Sequence, residues 1–237
     1  MKLYSLVLGL FLLALLSGCG KGCSSQQSQE AIIPSSDPLA QQEETLTPLP
    51  PDKFPTPTQA IQDLDKKVES YKTGPGLTSE DVQDNLKLKA KIIRGTFDLY
   101  ELCRLALDKH WEPLSEKDRH YFSDLMTRLL ERKAIFSKEQ VKDQSKPYKI
   151  QYKSESYLDA EKTMAKVSSI LFVPSEKIDL NIHYLLKKTP YGWRIYDVIV
   201  DDASLVENYK FQFNTIITKN GYPNLIERME NKLKEMQ

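Results

Sequence analysis

One stretch constrains the fold more than any other: Trp193 to Phe213, reading WRIYDVIVDDASLVENYKFQF. It begins as a strand. Trp193, Ile195, Tyr196, Val198, Ile199 and Val200 are aromatic or β-branched, the types that pack on a pleated surface. Apolar residues fall on both faces, so this strand is expected to be covered on both sides. Asp201 and Asp202 break the run and are placed to cap a helix. From Ala203 the period changes from two to 3.6. Leu205, Tyr209, Phe213 and Ile216 then form one apolar stripe, ended by Asn220-Gly221 and Pro223.

The N-terminus sets a second constraint. Lys2 precedes an apolar run, Leu3 to Leu16, which is too short and wrongly flanked for a membrane span. Leu16-Ser17-Gly18-Cys19 follows and resembles the lipobox of bacterial lipoproteins, in which the cysteine is lipidated and becomes the first residue. Residues 1–18 are therefore expected to be a signal peptide and Cys19 the lipidation site. Gly20, a residue other than Asp after the cysteine, implies by resemblance to sorted lipoproteins the outer rather than the inner membrane. Residues 19–57 carry seven of the chain's 13 prolines among Gln, Ser and Glu, with no apolar period, and read as a disordered linker. Such a linker spans about 35 Å as a coil and about 120 Å fully extended. Cys23, inside it, is either a spare thiol or a second acylation site.

The domain is expected over 58–237. Ala60, Leu64, Val68 and Tyr71 predict a first helix, stopped by Gly74-Pro75-Gly76. Thr78, Ser79, Glu80 and Asp81 open a second, whose apolar face runs through Leu86, Ile93, Phe97, Tyr100, Leu102 and Cys103 with a break near Gly95. Cys103 reads as a small core residue. Ser115 caps a further helix, in which Phe122, Leu125, Met126, Leu129 and Leu130 make one face. Strands follow at Tyr148 to Ser156, Met164 to Val173 and Ile178 to Leu186, with turns at Pro174-Ser175 and at Thr189 to Gly192. Leu225, Ile226, Met229, Leu233 and Met236 mark a last helix. Helices, then an antiparallel sheet, then helices make an α+β chain.

Lys+Arg and Asp+Glu are both 33, a balance that argues against a nucleic-acid partner. His110, His120 and His183 are widely spaced and accompany no Cys pair, so no metal site is expected. No nucleophile elbow or phosphate-binding glycine loop appears, and neither a catalytic role nor a cofactor is expected. Asp197 is the one acid on an apolar strand. It reads as a carboxylate tied to backbone N–H groups or to a Lys or Arg.

Two blocks of residues carry a family resemblance. Trp193, Tyr196, Asp197, Val198, Ser204, Leu205, Asn208, Tyr209 and Phe213 form one; Phe97-Asp98, Trp111, Leu114, Arg119, Phe122 and Leu129-Leu130 form the other. Together they resemble the MlaC family of toluene-tolerance, periplasmic phospholipid shuttles, over roughly Thr58 to the C-terminus. Asp202 stands where the family commonly has Gly, implying a different turn. Lys210 stands for a common Arg, which puts a bidentate contact in doubt. The resemblance implies a curved antiparallel sheet of about four strands wrapped by N- and C-terminal helices around an apolar cavity. Phe97, Phe122, Leu125, Leu129, Ile170, Ile182, Tyr184, Tyr196 and Val198 are the expected lipid-binding residues. It implies a phospholipid carrier in an ABC-type transport system, with inner- and outer-membrane lipid-transport proteins as partners and Cys19 as the membrane anchor. The alternative of another class is a structural or assembly lipoprotein that uses the same fold, with a filled core, as a docking module.

Overall fold

The computed structural model describes residues 55–133, 148–174 and 177–236. The expected signal peptide, Cys19 and most of the linker lie outside the described residues, as does Ser175 of the expected Pro174-Ser175 turn. Helix α1 (Pro57–Glu69) starts from a capping box. The Gln59 amide donates to Thr56 Oγ1 (3.2 Å) and the Thr56 amide to Gln59 Oε1 (2.8 Å). Pro57, counted with the linker by composition, is the first helical residue, where a missing N–H costs nothing. Its side chain is buried. Helix α2 (Ser79–Thr96) is closed at its start by Thr78 and Asp81 in the same way. Leu86 and Tyr100, expected on a buried face, are instead 43% and 41% exposed.

The break expected near Gly95 falls at Phe97-Asp98. Phe97 is extended and bridges Ile195 in parallel, and the Asp98 amide donates to the Ile195 carbonyl (2.8 Å). Asp98 then caps helix α3 (Leu99–Leu107), accepting from the Glu101 amide. The helix is interrupted because these two residues cover a strand edge instead. After a short 3-10 turn (Asp108–His110), Ser115 accepts from the Asp118 amide (3.1 Å) at the start of α4 (Glu116–Lys133). Arg119 reaches back from α4. It donates to the carbonyls of Trp111 (3.2 Å) and Glu112 (2.9 Å) and lies over the Trp111 ring.

Strands β1 (Lys149–Tyr157), β2 (Met164–Val173), β3 (Ile178–Thr189), β4 (Gly192–Val200) and β5 (Ala203–Ser204) form one antiparallel sheet in chain order. The fold is α+β and the sheet curved and unclosed, with a short fifth strand beyond the expected four. Bulges interrupt the register in β1 between Tyr152 and Ser154 and in β4 at Tyr196, and such insertions add twist and bend.

The Asp201-Asp202 segment differs from expectation. Both residues have positive φ (44° and 68°), and they turn the chain so that Ala203 pairs back on Val200. A two-residue hairpin loop with positive φ at both positions follows the right-handed twist of its strands. Asp202 thus holds the left-handed backbone that Gly favours, which Asp tolerates better than most residues. The helix cap is Ser204, not either aspartate: it accepts from the Glu207 amide and starts α5 (Leu205–Asn220). Gly221, at φ 82°, joins α5 to α6 (Tyr222–Lys234).

The helices cover one face of the sheet. Cross-strand register puts Ile150 and Tyr152, Ser169 and Leu171, Leu180, Ile182, Tyr184 and Leu186, and Ile195, Val198 and Val200 on that face. Most of these join Phe122, Leu125, Met126, Leu129, Tyr209 and Phe213 in a single core. Phe213 stacks on Tyr209 (centroids 5.4 Å) and meets Phe122 edge-on (5.5 Å). Cys103 is fully buried here, and burial pushes its thiol up to about 12, so it is an inert core residue. Strand β4 is buried over nearly all its length. Its edge is sealed by Phe97-Asp98 and β5, and beside it Lys187 of β3 pairs with Glu101 of α3 (3.4 Å).

Candidate functional site

The expected lipid-binding residues divide by sheet face. Phe122, Leu125, Leu129, Ile182 and Val198 are buried together in the core, and Phe97 and Tyr184 pack against it half-buried. Ile170 does not join them. It pairs with Gln151 and Asn181, one residue out of phase with Ser169 and Leu171, and so lies on the opposite face. Tyr196 is buried but outside the core cluster. Leu186 pairs with Ile195 and Tyr184 with Val198, so two residues, Tyr196 and Asp197, fill the space of one between core-facing positions.

The aspartate of that pair serves the fold. Ser204 Oγ donates to Asp197 Oδ2 (2.7 Å) and the Val206 amide to Oδ1 (3.0 Å). Burial raises its pKa above the usual carboxylate value, and these donors act against the rise. This is the carboxylate tied to backbone N–H groups expected from sequence. Lys210 makes point-charge contacts to Asp108 (3.5 Å) and Glu207 (3.9 Å). Among the described residues no three His, Cys, Asp or Glu side chains are grouped to hold a metal ion, and no helix is long and apolar enough to cross a membrane.

The apolar face is not uniformly closed. Tyr148, Ile150 and Tyr152 at β1, and Ile178, Leu180 and Tyr184 on β3, pack on the core yet are only half-buried. Helix α1 lies over this side and is fastened to β1 at two points. Glu155 accepts from the Thr58 amide (2.9 Å) and hydroxyl (2.7 Å), and the Tyr152 hydroxyl donates to the Asp65 carboxylate. None of these polar groups was singled out from the sequence. A signal existed: Ile61, Leu64, Asp65 and Val68 fall at i, i+3, i+4 and i+7, so Asp65 occupies a place in the apolar stripe.

Burial pushes the Asp65 carboxyl up to about 6; Glu69 adds to the rise and the Tyr152 hydrogen bond opposes it. The hydroxyls of Tyr152 and Tyr184 are also held above the usual phenol range, first by burial and then by Asp65. Because the folded-state value exceeds the unfolded one, the neutral acid stabilises the fold fully below pH 4 or so. That contribution, at most about 3 kcal/mol, is lost as pH rises through about 6. Asp65→Asn keeps an acceptor for Tyr152 and removes the charge. It is expected to raise stability at pH 7.5 by about 2 kcal/mol and to flatten the loss between pH 4 and 6.5, as read by denaturant titration.

With this geometry in place, comparison with known proteins identifies the group. The model of the family described as MlaC protein matches residues 62–231, well over half of the chain. The chain belongs to the MlaC family. The matched span runs from the second turn of α1 into α6 and so contains the whole sheet and the Asp65 side of the apolar face. The fold is also similar to the solved structure of a phospholipid-binding protein from Ralstonia solanacearum in complex with a phospholipid. The TM-score is 0.61 at 20% identity, over 75% of this chain and 97% of that one. A sequence comparison with curated proteins finds no match.

Proposed function

We propose that this MlaC-family chain is a phospholipid carrier of the periplasm, held on a membrane by Cys19 and serving an ABC-type lipid transport system. One observation carries the reading. A continuous apolar face lies between the curved sheet and helices α4 and α5, and it stays half-open at β1 and β3. The fold-related Ralstonia protein holds a phospholipid, which agrees with acyl chains entering there.

Two acyl chains totalling about 30 carbons cost on the order of 20 kcal/mol to carry bare through water. A carrier must enclose them, yet bind them no more tightly than a bilayer does, or release fails. Tails inside and head group outside meet both demands without a catalytic group or a cofactor. The chain is accordingly read as a non-enzyme. The Leu16-Ser17-Gly18-Cys19 motif and the proline-rich linker support a tethered mode, facing inner- and outer-membrane transport proteins, with the outer membrane favoured by Gly20.

Ile182→Trp tests the reading. Ile182 sits at the centre of β3, opposite Ser169 and Val200. If acyl chains share this space, the variant keeps its fold and loses most of its bound lipid, measured in an organic extract of the purified protein. Should the space be a filled core, as a docking module requires, overpacking costs about 1–3 kcal/mol and lipid content does not change.

A further inference from the structure

Ser169 is an anomaly in the apolar face. Its side chain is 2% exposed, and its Oγ has no hydrogen-bond partner. Register places it between Tyr152 on one side and Ile182 on the other, with Val167 and Leu171 before and after it on the same face. The Tyr184 hydroxyl is close enough to interact with it, but not in hydrogen-bond geometry. Tyr152 is already committed to Asp65. A buried hydroxyl left unpaired lowers stability, so a hydrogen-bonding group that packed against Ser169 would be stabilising.

The chemistry of that partner is narrow. Ser169 and Tyr184 carry hydroxyls that donate as well as accept, and the polar groups a diacyl lipid brings next to its chains only accept, so here the hydroxyls would donate. Apolar side chains flank them along β2, so the acceptor must be uncharged and must itself continue into hydrocarbon. A phosphate would bring a buried negative charge towards Asp65, which both desolvation and repulsion oppose. An ester carbonyl meets every condition: it is neutral, it accepts, and an acyl chain begins at its carbon. We propose that Ser169 and Tyr184, beside the Tyr152–Asp65 pair, form a polar subsite that hydrogen-bonds an ester carbonyl of a bound diacyl lipid. This subsite rests on the carrier reading above and deepens it: the site recognises how the chains are linked, not only that they are apolar.

The test separates the two. Full-length protein, stripped of lipid, is offered vesicles containing equal amounts of a diacyl phosphatidylglycerol and its dialkyl ether, matched in chain and head group. Protein-bound lipid is then extracted and weighed by mass spectrometry. The wild type is expected to take the ester over the ether by about three- to tenfold, the range of one or two modest hydrogen bonds. Ser169→Ala and Tyr184→Phe should each bring the ratio towards one. Ser169→Ala should not lower the melting temperature of the stripped protein, since it removes an unpaired group. Equal uptake of ester and ether by the wild type overturns the subsite and leaves the carrier reading intact. A Ser169→Ala protein that melts lower and loses both lipids alike also overturns it, because the serine is then structural. Uptake of neither lipid overturns the carrier reading and the subsite with it.

Discussion

Asp197→Ala is expected to lower stability by about 3 kcal/mol, a fall of roughly 10 °C in the melting temperature of a domain this size. The carboxylate holds the corner where β4 gives way to α5. Ser204 Oγ and the Val206 amide donate to its two oxygens, and Ser204 is itself the cap of α5 through the Glu207 amide. Alanine leaves these donors buried without an acceptor, and such losses exceed the modest net worth of the bonds themselves. Asn208 adds to the same corner by donating to the Ser204 carbonyl (2.8 Å). Asp197→Asn retains an acceptor at one position and should cost less. Calorimetry of the purified variants reads both effects. A catalytic acid would behave otherwise, abolishing an activity while leaving the melting temperature near that of the wild type.

Cys19→Ser is expected to move the protein almost entirely from the membrane pellet to the soluble periplasmic fraction. One acyl chain binds a bilayer only marginally, whereas two or more anchor stably, so the change from a fully lipidated cysteine to serine is close to all-or-none. The consequence for transport follows from length. If Cys19 is the anchor, the proline-rich linker expected from the sequence, about 35 Å as a coil and about 120 Å at full stretch, would restrict the domain to partners within that radius. On this proposal the carrier would work as a station or a short-range shuttle. Lipid uptake by the released domain should be unaffected, because residues 62–231 carry the family's fold. A Cys19→Ser protein that still pellets with membranes contradicts the tether.

The parts of the fold that were legible in the sequence are those with one apolar and one polar face. The β3 run Ile178 to Leu186 alternates cleanly, and the α4 stripe from Phe122 to Leu130 is spaced by three and four; both point where their patterns say. Phase was not legible where the pattern has none. Ile170, Leu171, Phe172 and Val173 are a continuous apolar run, so hydropathy alone could not tell that Ile170 faces outward while Ser169, a polar residue, is buried. Only the pairing with β1 and β3 decides it. The position of Tyr196, buried but outside the core cluster, was not legible for a related reason: a bulge shifts alternation by one, and nothing in WRIYDVIV marks it. Asp65 went unnoticed because a single acid inside a helical stripe looks like a helix boundary or a solvated position. Its role needs Tyr152, 87 residues away.

Analysis of an organic extract of the purified wild-type protein by mass spectrometry tests the central claim most directly. The account predicts phospholipid at close to one molecule per protein, retained through purification and depleted in Ile182→Trp. Protein that carries no phospholipid, and takes up none from vesicles after purification, contradicts it.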